Sequence, residues 1–195
     1  MLSHLNNYEI ILASQSPRRL ELLQGLNIPF EVKVIDIDED NYPPQLVGVD
    51  IPMYLAEKKA DAYAEFMKEN TLLITADTIV WHEGRVFGKP KDKADATRML
   101  KSLSGKTHEV ITGVCICTLN KRRVFHVISE VRFARLLPQE IEYYLTNYQP
   151  YDKAGAYGVQ EWIGYIAVEH IDGSYFNVMG LPIQRLYNEL KRWKK

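Results

Sequence analysis

The sequence predicts an α/β fold, a mixed sheet with flanking helices. Two observations carry this. Over the first half, short apolar strand-like runs alternate with helical stripes, the pattern of parallel strands joined by crossovers. Over the second half, β-rich runs come in pairs around turn residues, the pattern of antiparallel hairpins. At 195 residues the chain is long enough for one substantial domain, residues 1–195, with room for two lobes. It contains no repeats, low-complexity tracts or linkers.

The first strand is the apolar run 10–13, and a tight turn, Ser14-Gln15-Ser16, leads into a helix with Pro17 at its first position. Proline suits that position, where no amide hydrogen is needed and φ is already set. Gly25 stops the helix, and 29–35 alternates well enough to be a strand. Residues 36–48 are acidic and contain proline, so they read as an exposed loop. Asp50 or a neighbour caps a helix through about Asn70, with Leu55, Ala56, Ala60, Tyr63, Ala64 and Met67 on its apolar stripe. The run 72–76 is an interior strand ending at Asp77-Thr78 and continuing as 79–81.

Glu83-Gly84 is a turn, 85–87 a returning strand, and Gly88-Lys89-Pro90 a second turn. A helix follows over 92–103 and stops at Ser104-Gly105. Runs 110–119 and 123–133 form a large hairpin about Asn120-Lys121, and 138–148 is a helix with acidic residues in its first turn. Residues 149–160 read as a loop too polar for the core. Runs 165–168 and 175–178 flank Asp172-Gly173 as a second hairpin, and an amphipathic helix over 182–193 closes the chain.

Composition narrows the function. A net charge of −1 offers no basic surplus for nonspecific nucleic-acid binding. No apolar run reaches the length of a membrane span, and residues 1–8 lack the features of a signal peptide. Cys115 and Cys117 share one face of one strand, a poor arrangement for a disulfide, and are expected as buried thiols in a reducing compartment. The five histidines have no pairing that points to zinc.

Four places carry polar groups that a core does not require. Ser14, Ser16, Arg18 and Arg19 surround a helix N-terminus, where unpaired amides attract anions. Arginines there oppose the helix dipole, a cost that an anion offsets; the plainer alternative is a capped surface helix. Asp77 at a strand end can bind a divalent cation or orient a water, or simply cap a turn. Lys59 and Lys89 are phosphate partners or solvated lysines. Glu31 is disfavoured in a strand and so is a metal or cation ligand, or an exposed edge residue. Together these are the groups that hold a polyphosphate with its metal. The Gly-x-x-x-x-Gly-Lys-[Ser/Thr] loop is absent, so the chain is not a P-loop protein.

Over nearly its whole length the chain resembles the Maf family of nucleotide pyrophosphatases. The matching pieces are Leu12-Ala13-Ser14-Gln15-Ser16-Pro17-Arg18-Arg19, Phe30-Glu31, Leu55-Ala56-Glu57-Lys58-Lys59-Ala60, Ala76-Asp77-Thr78, Gly88-Lys89-Pro90 and Leu103-Ser104-Gly105. They continue with Asp152-Lys153-Ala154-Gly155-Ala156-Tyr157-Gly158-Val159-Gln160, Gly173-Ser174-Tyr175 and Gly180-Leu181-Pro182. The resemblance implies hydrolysis of a nucleoside triphosphate to monophosphate and pyrophosphate, with Mg²⁺ or Mn²⁺, in the cytoplasm. It implies an inosine triphosphatase-like mixed-sheet fold of two lobes around a central cleft. By the same resemblance Asp77 is the proton acceptor that activates water at the α-phosphate. Glu31 and Asp77 lie near the metal, and Ser14, Arg19, Lys59 and Lys89 hold the phosphates. Arg18, Thr78 and Gln160 map to positions that distinguish substrate subgroups, and the piece ending in Gln160 is similar to the subgroup acting on dTTP and UTP. Such an activity would limit incorporation of modified pyrimidine nucleotides. The expected partners are a triphosphate substrate, no nucleic acid and no membrane, with a homodimer left open. Two other readings compete: a nucleotide-sensing interaction protein acting in septation arrest, and a purine triphosphatase.

Overall fold

A computed structural model describes residues 2–34, 37–39 and 41–194. Ile35 of the expected second strand, and Asp36 and Asp40 of the acidic loop, lie outside the described residues. The described elements are β1 (Glu9–Leu12), α1 (Pro17–Gln24), β2 (Glu31–Val32), α2 (Asp50–Tyr63), β3 (Thr71–His82), β4 (Arg85–Phe87) and α3 (Lys93–Leu103). They continue with β5 (Thr107–Cys117), β6 (Arg122–Phe133), α4 (Pro138–Tyr148), α5 (Trp162–Ala167), β7 (Val168–Asp172), α6 (Tyr175–Met179) and α7 (Ile183–Arg192). Among the described residues the strands make a seven-stranded sheet ordered β2-β1-β3-β5-β6-β7, with β4 also on β3. β1 runs parallel to β2 and β3, whereas the β3–β4 and β6–β7 pairs are antiparallel, so the sheet is mixed as expected. No helix among the described residues is long and apolar enough to cross a membrane.

The chain divides into two compact units. The first comprises residues 1–77, 112–127 and 180–195. Its core joins Ile11 and Ala13, Leu73, and Cys115 and Cys117 to the small face of α2, Ala56 and Ala60. The cysteines are buried and free, as their spacing implied. Gly113 allows this packing, because a Cβ there would lie 2.3 Å from the Pro52 carbonyl oxygen at the start of α2. The α2 helix is shorter than its stripe suggested, passing at Ala64–Phe66 into a 3-10 turn. Asp50 is its first residue, and the capping position is Val49 with no side-chain hydrogen bond.

The second unit comprises residues 78–111 and 128–179. The Glu83-Gly84 turn has φ of 50° and 74°, the doubly left-handed turn that matches strand twist. Two expectations fail in this unit. Residues 175–178 form the helix α6, not a strand. The signal was Ser174, whose hydroxyl accepts the Asn177 amide hydrogen as a helix cap. The buried Asn177 then donates to the Val110 carbonyl and the Ser129 hydroxyl, which no strand composition reveals. Residues 165–167 likewise end the helix α5, and the strand is Val168–Asp172, paired with β6.

The segment 149–160 is the other failure, since Lys153, Ala156, Tyr157 and Val159 are buried. Lys153 and Tyr157 enter the interior because each finds a partner. Lys153 is paired with Asp152 and Glu161, and the Tyr157 hydroxyl lies 2.8 Å from His108 Nε2. His108 also packs edge-on against Phe133 and Tyr157.

Burial, with a smaller contribution from His82, lowers the His108 imidazole to about 3. The unfolded chain therefore takes up this proton first on acidification. The stability from a neutral His108 is present above about pH 6.5 and is lost as pH falls toward about 3, by up to about 1.4 kcal/mol per pH unit. Denaturant unfolding between pH 6.5 and 5 should show this slope in the wild type. His108→Gln, which can still bond to Tyr157, should flatten it by one proton; an unchanged slope would refute the assignment.

Candidate functional site

In the first unit, the site is built where β3 leaves its pairing with β1. That pairing covers Thr71–Ile74, and the Ile74 carbonyl still accepts the Ala13 amide hydrogen. Two residues on, the Ala76 carbonyl accepts from side chains instead: Arg19 Nη1 at 2.9 Å and Lys59 Nζ at 3.3 Å. Asp77 is thus mid-strand in β3, not at the strand end that the sequence predicts. The strand continues because Ile79 and Val80 supply buried apolar positions beyond it.

Lys59 is placed by helix packing. The Thr75 hydroxyl donates to the Ala56 carbonyl at 2.6 Å, tying α2 to β3 one turn before Lys59. The buried Lys59 ammonium then lies 2.6 Å from Asp77 Oδ1 and 2.8 Å from Glu39 Oε1. With the Ala76 carbonyl, these acceptors occupy all three ammonium hydrogens. Lys59 therefore gathers two carboxylates. Its neighbour Lys58 has a separate task. Its ammonium donates to the carbonyls of Asp38 at 2.7 Å and Asn41 at 2.8 Å, which pins the acidic loop carrying Glu39.

The turn before α1 supplies the other wall. The Ser14 hydroxyl accepts the Ser16 amide hydrogen, and Ser16 caps α1 by accepting from the Arg19 amide. The Arg19 side chain bridges three points: Ala76, the Gly180 carbonyl at 2.8 Å, and the Ser14 hydroxyl at 3.5 Å. Burial lowers its guanidinium from the ordinary value, the Asp77 and Glu39 charges oppose that drop, and Arg18 adds to it. Ser14, Arg18, Arg19, Lys59 and Asp77 thus belong to one unit, and Arg19 touches Ser14 while sharing the Ala76 carbonyl with Lys59.

Glu31 takes the exposed edge position, one of the two readings its sequence context offers. It lies exposed on β2, 3.2 Å from Lys33 Nζ, and the second carboxylate at Lys59 is Glu39. Glu39 was missed because an acidic loop gives no sign of which carboxylate turns inward. The available signal was the Lys58-Lys59 pair facing an acidic run.

The family is decided by comparison. Residues 9–193 match the family model described as Maf-like protein. This chain belongs to the Maf family. The dTTP/UTP pyrophosphatase of Bacteroides fragilis (strain YCH46) is 56% identical over 192 residues, covering 98% of this chain and 100% of that one. The dTTP/UTP pyrophosphatase of Phocaeicola vulgatus is 57% identical over the same coverage. Among solved structures, the Ham1 protein of Staphylococcus aureus is similar at a TM-score of 0.48 and 14% identity, over 65% of this chain and 72% of that one.

The remaining Maf positions lie in the second unit. Thr78 opens it, directly after Asp77 in β3. Lys89 is exposed in the Gly88–Pro90 turn, which is held by the Gly155 amide donating to the Gly88 carbonyl at 3.1 Å. Gly155 has φ of 70°, and a Cβ there would come within 2.8 Å of the Val80 side chain. Gln160 occupies a turn closed by the Glu161 amide donating to the Gly158 carbonyl at 3.0 Å. Its Oε1 is buried with no hydrogen-bond partner among the described residues.

Proposed function

We propose that this Maf protein acts in the cytoplasm on dTTP and UTP, releasing pyrophosphate and leaving the monophosphate. The observation that carries the reading is the buried Lys59 set between Asp77 and Glu39, in a chain whose full-length relatives bear that name. In the proposed reaction a water oxygen bonds to the α-phosphorus while the bond from that phosphorus to the α–β bridging oxygen breaks. Asp77 accepts the water proton, and the leaving pyrophosphate carries the bridging oxygen and its electron pair. Arg19 and Lys89 neutralise charge that grows on the phosphates. Lys59 keeps the two carboxylates together before substrate arrives.

The family resemblance implies a divalent cation, and the residues fit one. Asp77 and Glu39 converge on a single positive charge beside a backbone carbonyl, so every donor is a hard oxygen. Mg²⁺ and Mn²⁺ take such donors, and Mg²⁺ commonly binds through one or two carboxylates and the substrate phosphates. Bound there, the cation would polarise the phosphoryl oxygens. Glu39 replaces Glu31 in this assignment.

A panel of triphosphates with pyrophosphate detection tests the reading. UTP and dTTP should be turned over alike and ahead of CTP. Preference for purine triphosphates, or no release from any of them, would overturn it. Base choice is assigned to Gln160. Its unpartnered Oε1 can accept from the N3–H of uracil or thymine while its amide nitrogen donates to O4. Gln160→Glu removes that donor, so kcat/KM for UTP should fall by ~1–3 kcal/mol in barrier terms, roughly 5- to 150-fold, with a smaller loss for CTP. An unchanged UTP-to-CTP ratio would remove Gln160 from base recognition.

A further inference from the structure

Gln160 can select a base only if its side chain is held in one orientation, because a freely turning carboxamide matches uracil and cytosine equally. The second unit holds the backbone from which that side chain extends. Gln160 is the third residue of the four-residue turn Gly158-Val159-Gln160-Glu161. Both ends of this turn meet one atom, the hydroxyl of Tyr144, a fully buried residue on α4. The hydroxyl oxygen accepts the Gly158 amide hydrogen at 3.0 Å, and its own hydrogen is donated to Glu161 Oε2. The other Glu161 oxygen, Oε1, is 3.1 Å from the buried Lys153 ammonium. Packing repeats the message: a Cβ on Gly158 would lie 2.8 Å from the Glu161 carboxyl carbon. A Cβ on Gly164, in α5, would lie 1.8 Å from the Val159 carbonyl oxygen, so the helix backbone rests directly on the turn.

We propose that Tyr144 is the positioning residue for base selection, with Glu161 and Lys153 as its supports. By bonding both ends of the turn, it fixes the backbone of Gln160 and with it the point from which the carboxamide meets the base. The inference rests on the pyrimidine triphosphatase reading and deepens it. The specificity follows from hydrogen-bond direction. An imide edge, as in uracil and thymine, offers a donor at N3 where cytosine offers an acceptor. A fixed acceptor oxygen favours the first and leaves the second unpaired.

The test compares kcat/KM for UTP, CTP and ribose 5-triphosphate, which lacks a base, in the wild type, Tyr144→Phe, Glu161→Ala and Glu161→Gln. Tyr144→Phe cuts both ends of the turn at once and should lower the UTP-to-CTP ratio about 10-fold. Glu161→Ala cuts one end and should lower it less. Glu161→Gln still offers the tyrosine an acceptor oxygen and should restore most of the ratio. Turnover of ribose 5-triphosphate should change less than about 2-fold throughout, because no base is read. Glu161→Ala and its Gln rescue supply the same measurement if Tyr144→Phe does not fold. A constant UTP-to-CTP ratio in the folded variants would overturn the proposal, as would an equal loss on all three substrates, the signature of mere structural support. Failure of the underlying reading looks different: the wild type itself would then release no pyrophosphate from UTP.

Discussion

Asp77→Asn should lower kcat for UTP at least ~10²-fold while the protein stays folded. The carboxamide has nearly the shape of the carboxylate, and its oxygen can still accept from the Lys59 ammonium, which keeps its second partner in Glu39. The ion-pair cluster therefore loses one charge but not its geometry. What the carboxamide cannot do is take a proton from water. With the divalent cation saturating, the loss should consequently fall on kcat, because Arg19 and Lys89, assigned to the phosphates, are untouched. Pyrophosphate release at saturating UTP, beside a thermal unfolding curve, makes the measurement. A folded variant with near wild-type kcat would take Asp77 out of the chemistry. In that case the buried carboxylate serves only to hold Lys59.

Features encoded locally were legible in the sequence. Pro17 after Ser16 marks a capped helix start, and Glu83-Gly84 marks a two-residue hairpin; both are present. The mixed sheet followed from alternating runs followed by paired runs. What escaped depends on partners distant in sequence. Lys59 and Lys89 look alike as lysines, yet one is buried between two carboxylates and the other is exposed. The difference comes from Thr75 binding the Ala56 carbonyl, a contact across 19 positions. Glu39 could not be chosen from its acidic run, because Lys58 selects it by holding the backbone on either side. The polar segment 149–160 looks like surface because composition shows the cost of burying Lys153 but not the Glu161 carboxylate that offsets it.

Lys59→Met should destabilise the protein and make its stability depend on divalent cations. Methionine nearly matches the length of the lysine stem, so packing against α2 and β3 changes little. The charge is the difference. Without the ammonium, Asp77, whose side chain is 10% exposed, and Glu39, at 35%, lose the cation that bridges them, and the Arg19 guanidinium, which interacts with both, is left to oppose their charges. Removing one partner of a buried ion pair typically costs about 3–5 kcal/mol. Glu39 remains partly in water, so the lower end, about 3 kcal/mol, is expected here, or a Tm drop of roughly 6–12 °C for a chain of this size. Glu39→Gln added to Lys59→Met should recover part of the loss, because it removes the repulsion rather than any packing. Mn²⁺ supplies the missing positive charge to the same oxygens. It should therefore raise the Tm of Lys59→Met more than that of the wild type, where the ammonium competes for them. Thermal unfolding of the wild type, the single variant and the double variant, each with and without Mn²⁺, tests the whole arrangement. Equal Mn²⁺ shifts in wild type and Lys59→Met would mean that the cation binds away from Asp77 and Glu39. A Tm unchanged by Lys59→Met would mean that the two carboxylates do not depend on this lysine for their charge balance.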